Sequence, residues 1–215
     1  MKFRTRVIPA IAVVAALSGC AREGDLVVGQ GVGISAVLTT CPSVGVPNYT
    51  GDVTIFRGAA PVATAIDVTA TITNLRSTCT DSGENVYSEA TFDVFAQRRD
   101  TSGARTVTLP YFVTVLRGGT AVQSKRVGQV TLNFADGEAR AQAGGKAASF
   151  VDRASATLPE EVRERITRRR RPGDPEAALD PLADNQVKAA IARTRYEMLI
   201  GFQLTEDQLR YNVTR

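Results

Sequence analysis

From Leu26 to about Phe150 the chain consists of short runs rich in Val, Thr, Ile and Phe, broken every eight to fifteen residues by Gly, Pro, Asn or Asp. Such punctuation marks antiparallel strands. Within the runs the pattern has a period of two. Ile66, Val68, Ala70 and Ile72 fall on one side of an extended chain and Asp67, Thr69, Thr71 and Thr73 on the other, while Val130, Leu132 and Phe134 alternate with Thr131 and Asn133. Successive side chains of a strand point to opposite faces, so each strand has one face for a core and one for water. Thr91 to Gln97 and Val107 to Leu116 read as longer strands joined by a polar loop, Arg98 to Arg105, and Gly118-Gly119 makes a tight turn into the next strand. Six or seven short strands at this spacing predict a mainly β protein, an antiparallel β-sandwich with an immunoglobulin-like or fibronectin-like outline. The tryptophan of true immunoglobulin domains is absent. Gly29, Gly31 and Gly33 share one side of the first strand, leaving it bare for close packing.

After Phe150 the period changes. Thr157 to Glu160 has the form of a capping box, and Leu158, Val162 and Ile166 then recur every four residues, the stripe of a short amphipathic helix. A basic run and Pro172-Gly173-Asp174-Pro175 end it. A second helix is expected from Asp184, with Val187, Ala190 and Ile191 on one face. Alternation returns from Tyr196, with Met198, Ile200, Phe202 and Leu204 on its side, and Thr205 caps a last turn with Gln208, leaving Leu209 and Tyr211 to dock. Residues 26–215 therefore read as one sandwich domain with a small helical insertion, about 157–193, before the last strand.

The first nineteen residues follow a different plan. Lys2, Arg4 and Arg6 precede an apolar run of eleven residues, Val7 to Leu17, and small residues follow. This is the layout of a signal peptide, too short for the about 20 apolar residues of a membrane span. The run ends in Leu17-Ser18-Gly19-Cys20, which resembles the lipobox of bacterial lipoproteins. The resemblance implies cleavage before Cys20, a diacylglycerol on its thiol and acylation of the new amino terminus. Several chains give a lasting attachment, since each buried methylene contributes about 0.8 kcal/mol. Non-acidic Ala21 resembles the pattern of lipoproteins passed on to the outer membrane, where the domain would face the periplasm. Residues 20–25 would form a short lipid-anchored tether, with the fold close to the bilayer.

Loss of residues 1–19 removes three basic and no acidic side chains from the 26 and 22 of the whole chain, leaving 23 against 22. The basic balance thus belongs mostly to the leader, and nucleic acid is not indicated as a partner. With Cys20 given to lipid, Cys41 and Cys79 remain as an even pair in a compartment that permits disulfides, and they are expected to be bonded.

The chain has no histidine, which removes Ser-His-Asp and Cys-His catalysis and the imidazole zinc sites. No phosphate-binding loop, dinucleotide fingerprint, cofactor or small-molecule ligand is indicated. Carboxylate chemistry needs only two acids, but neither Asp93 nor Glu160, Glu161 and Glu164 select themselves as a pair. The conspicuous surface feature is Arg163, Arg165, Arg168, Arg169, Arg170 and Arg171. They form a candidate patch for anionic headgroups or an acidic partner, although cations also suit a helix C-terminus. The expected function is a non-enzymatic, membrane-anchored binding or structural component of the cell envelope, touching the membrane through Cys20 and an envelope protein through its domain. The alternatives are a histidine-free enzyme acting on cell wall or polysaccharide, and an accessory subunit of a secretion or transport complex.

Overall fold

The structure is a computed structural model and describes residues 39–58, 60–81, 83–168 and 179–215. Cys20, the tether, the triple-glycine strand and Arg169 to Arg171 lie outside the described residues. Alternation of β-branched and small or polar residues produces two four-stranded sheets facing each other, a β-sandwich. One holds β1 (Ser43–Gly45), β8 (Tyr196–Phe202), β5 (Arg105–Arg117) and β6 (Ala121–Phe134), in that order. The other holds β2 (Asp52–Phe56), β3 (Ile66–Thr80), β4 (Asn85–Arg98) and β7 (Arg140–Asp152). Neighbours are antiparallel except β1, which runs parallel to β8. A parallel pair needs a crossover connection, and here the rest of the sandwich supplies it, so short-range sequence could not announce it.

The core lies between the sheets. Val68, Ala70 and Ile72 of β3, Phe92, Val94 and Ala96 of β4, Leu109, Tyr111 and Val113 of β5, and Met198, Ile200 and Phe202 of β8 meet there. Two aromatics from opposite sheets form its centre: the rings of Phe92 and Tyr111 cross edge to face at 5.1 Å, and the Tyr111 hydroxyl donates to the Lys146 carbonyl at 2.7 Å. Each ring lies across a glycine of the neighbouring strand. A Cβ on Gly145 would stand 2.1 Å from the Phe92 ring and one on Gly128 2.6 Å from Tyr111. The edge strands give up a side chain at these positions so that the central rings can lie down on them.

Two charged residues of the two faces behave differently from expectation. Arg98, expected to open the polar loop, is the last residue of β4 and only 2% exposed. Asp67, expected on a water-facing side, is 8% exposed because Arg105 reaches from the other sheet to grip it with two hydrogen bonds, at 2.9 and 2.7 Å, and Arg57 lies at 3.6 Å. The Arg105 hydrogen bonds, then its charge and that of Arg57, hold the Asp67 carboxyl below its ordinary value of 3.8, against the upward push of burial. A carboxyl with a depressed folded pKa contributes stability above its unfolded value and loses that contribution as pH falls through the folded one. We therefore expect the urea midpoint of the native chain to drop more between about pH 5 and pH 2 than that of Asp67→Asn. Parallel acid limbs for the two proteins would refute the inter-sheet ion pair.

At one end of the sandwich Cys41 and Cys79 are disulfide-bonded, with Cα atoms 6.1 Å apart. Helices sit between β7 and β8, in the expected place, and begin four residues earlier than the sequence indicated. The first is α1 (Arg153–Ala156), capped by the Asp152 carboxylate, which accepts from the Ser155 amide at 2.7 Å. The capping box expected at Thr157 does not form: Pro159 occupies the cap of α2 (Glu160–Thr167), and the Thr157 hydroxyl turns back to the Arg153 carbonyl. The earlier helix explains this, since its last turn claims Thr157. The capping box at Thr205 and Gln208 does form and starts α4 (Glu206–Thr214). Tyr211 docks there, its ring 5.0 Å from Phe56, but Leu209 is 41% exposed. Gln208, Tyr211 and Asn212 share the inward stripe, and Leu209 lies one residue, about 100°, off it. Asn212 takes the buried place instead and donates to the carbonyls of Tyr49 and Asp52, both at 2.8 Å.

Candidate functional site

Two features of the helical end create a cleft. The first is α3 (Asn185–Thr194), whose start is fixed by Asp184: one carboxylate oxygen accepts from the amides of Gln186 and Val187. Its apolar face, Val187 and Ala190 with half-buried Ile191, packs on Leu158 and Ile166 of the α2 region as a separate small core. Val162 and Leu182 complete that core, so the stripe expected from the sequence is the stripe that is used. The second is the β5–β6 turn, where Gly118 has φ +64° and a Cβ would stand 3.0 Å from the Ala192 carbonyl oxygen. Only a residue without a side chain fits both the left-handed backbone and that approach. The Gly118 amide then donates to the Arg195 carbonyl at 2.9 Å.

Between this turn, α3, the start of β8 and the incoming segment Thr39 to Ser43 lies a cleft of about 730 Å³. Cys41, Pro42, Leu182, Ile191, Ala192 and Tyr196 give it apolar walls, and Lys188, Arg195 and Glu197 supply its charges. The disulfide holds the Cys41 wall, and Cys41 also packs beside Val86, Val115, Val151, Ala156 and Tyr196. Tyr196 is held in turn by a 2.8 Å hydrogen bond between its hydroxyl and that of Ser155, and the Arg117 guanidinium lies 5.8 Å above its ring. Arg117 also donates to the Arg193 carbonyl, tying β5 to the end of α3.

The cations of the cleft are not those the sequence singled out. Arg163 is ion-paired with Glu160, and Arg165 with Asp184 at 3.1 Å. Arg168 is exposed at the C-terminal cap of α2, and the other three arginines of the run are outside the described residues. Among the described residues Lys188, Arg193 and Arg195 take part in no ion pair. The sequence carries a signal for them, three cations at the start and end of one short helix with no acid between them, but the denser arginine run masks it.

Two of the other hollows lined by described residues carry acidic side chains. One of about 820 Å³ is lined by Glu84, Asp152 and Glu160. Asp152 is occupied in capping α1 and Glu160 in pairing with Arg163. The other, about 480 Å³, lies between α4 and β2. Asp93 is in none of these hollows and accepts from the Asn74 side-chain amide at 2.8 Å. Among the described residues no group of three His, Cys, Asp or Glu side chains could hold a metal ion, and no helix is long and apolar enough to cross a membrane. No family model matches the chain, and neither a curated protein nor a solved structure does.

Proposed function

We propose that the chain is a lipid-anchored, non-enzymatic binding component of a bacterial cell envelope, held by acyl chains on Cys20 and facing the periplasm, on the outer membrane as Ala21 favours. The observation that carries the reading is the position of the cleft. Its rim is Thr39 to Ser43, the first described residues downstream of Cys20. Eighteen residues lie between Cys20 and Thr39, and at about 3.3 to 3.6 Å per residue the connection spans at most roughly 68 Å. The chain downstream of Cys20 thus enters the described fold at the end that holds the cleft. The chemistry of the cleft supports binding over catalysis, with one carboxylate and no second acid beside it.

A second reading, a hydrolase of Ser/Lys type acting on the cell wall, draws on Ser43 and Lys188 lining the same cleft. A nucleophile and its base must come within hydrogen-bond reach, and these two side chains share no hydrogen bond. The anchor has a direct test. Cys20→Ala should move nearly all the protein from the membrane fraction to the soluble fraction of the cell envelope. A variant still sedimenting with membranes after a high-salt wash would show that lipid on Cys20 is not what holds it.

A further inference from the structure

We infer that the α3 cleft seats on phosphate headgroups of the membrane surface, with Lys188 and Arg195 as the cations that meet them. The membrane as source rests on the lipid-anchor reading above; the preference for phosphate rests on the cleft itself. Lys188 and Ala192 stand at i and i+4 of α3, so their side chains share a face, and Arg195, the extended C-cap residue that follows the helix, lines the same cleft. Both cations are exposed and, among the described residues, free of ion pairs, whereas Arg163 and Arg165 already hold carboxylates. Glu197 is the one acid of the lining. Arg193 and Arg117 stand at the same end and widen the field.

The helix dipole accounts for only part of this arrangement. Cations in the last turn, as Arg193 is, suit the negative pole of α3. Lys188 is its fourth residue, near the positive pole, where a cation is disfavoured. No described residue pairs it there, and the apolar walls beside it, Pro42, Leu182 and Ile191, match the glycerol and first methylenes below a lipid phosphate. Seated this way, the sandwich stands on the bilayer by its helical end and holds its far loops away from it.

The test uses the lipid-bearing full chain reconstituted on vesicles of phosphatidylcholine alone and of phosphatidylcholine mixed with phosphatidylglycerol. Lysines are acetylated briefly and read by mass spectrometry. Modification of Lys188 should fall several-fold on the mixed vesicles, while Lys125 and Lys146, exposed on the strands, stay equally reactive. Equal modification of Lys188 on both vesicles would overturn the proposal, as would equal protection by inorganic phosphate, which would make the cleft a free-anion site. Flotation with phosphatidylcholine vesicles reports the acyl anchor separately, so either reading can fail without the other. The Cys20→Ala chain gives a second measurement: each basic side chain at an anionic surface raises affinity roughly fivefold, so adding Lys188→Gln and Arg195→Gln should lower its partition onto mixed vesicles about 25-fold. Arg163→Gln with Arg165→Gln should leave that partition unchanged, and an unchanged partition for the Lys188 and Arg195 pair would also overturn the proposal.

Discussion

Replacing Arg98 by Met should cost about 2 to 6 kcal/mol of folding stability, the penalty of leaving two buried carbonyls without donors. The guanidinium is buried without a carboxylate partner and is satisfied by backbone alone. Its Nε donates to the Glu138 carbonyl at 2.8 Å, one terminal nitrogen to Gly103 at 2.8 Å, and the other to Thr101 at 2.9 Å and Ala135 at 2.8 Å. The ring of Phe134 lies 5.3 Å from its central carbon. One side chain therefore fastens the β4–β5 loop to the β6–β7 loop, and so one sheet to the other. Met would fill the volume but leave the Glu138 and Gly103 carbonyl oxygens without donors, each costing about 1 to 3 kcal/mol where water cannot reach it, while the Thr101 and Ala135 carbonyls keep the amides of Gly137 and Glu138. Arg98→Lys should lose less, yet a single ammonium cannot spread over carbonyls of both loops as a planar guanidinium does. Urea unfolding followed by circular dichroism reads the difference. Midpoints of both variants within experimental error of the native one would mean that the two loops are held by other contacts.

The second large effect is expected from Cys41→Ser combined with Cys79→Ser. The bond closes a loop with a sequence separation of 38, for which restriction of the unfolded chain corresponds to roughly 4 kcal/mol in the entropic treatment. The loss should appear as a lower urea midpoint, and reductant should lower the native midpoint by a similar amount while leaving the double variant alone. Two reactive thiols in the unfolded, unreduced native protein would contradict the bond. A local consequence follows from position. Cys41 lies in the rim of the α3 cleft, so release of the bond loosens that wall, and the headgroup protection of Lys188 should weaken in the double variant before global unfolding begins.

These two sites differ in how they were legible. The cysteine pair could be read from chemistry and number, because an even pair in an oxidising compartment has one simple outcome. Arg98 carries two conflicting signals: Phe92, Val94 and Ala96 set the inward register of β4, and Arg98 continues it by two. Its charge argued for a loop, and period two argued for the core. The register won, because the carbonyls of two loops were there to receive the donors. Asp67 is the same case seen from the acid side. Alternation placed it outward, and an arginine thirty-eight residues away, on the other sheet, closed over it.

What the sequence by itself determined is local. Period two along β3 to β8, the return of helical spacing after Phe150, the Asp184 and Thr205 caps and the Cys41–Cys79 pairing all depend on neighbours along the chain or on residue counts, and the fold class follows from them. Tertiary structure alone decided which charges are spent and which remain free. Arg165, Arg98 and Arg105 find partners only when distant segments converge, while among the described residues none converges on Lys188, Arg193 and Arg195. The parallel placement of β1 beside β8 is of the same kind. A strand carries no local mark of its neighbour's direction, and its partner is set by which sheet edge remains free once the rest has packed.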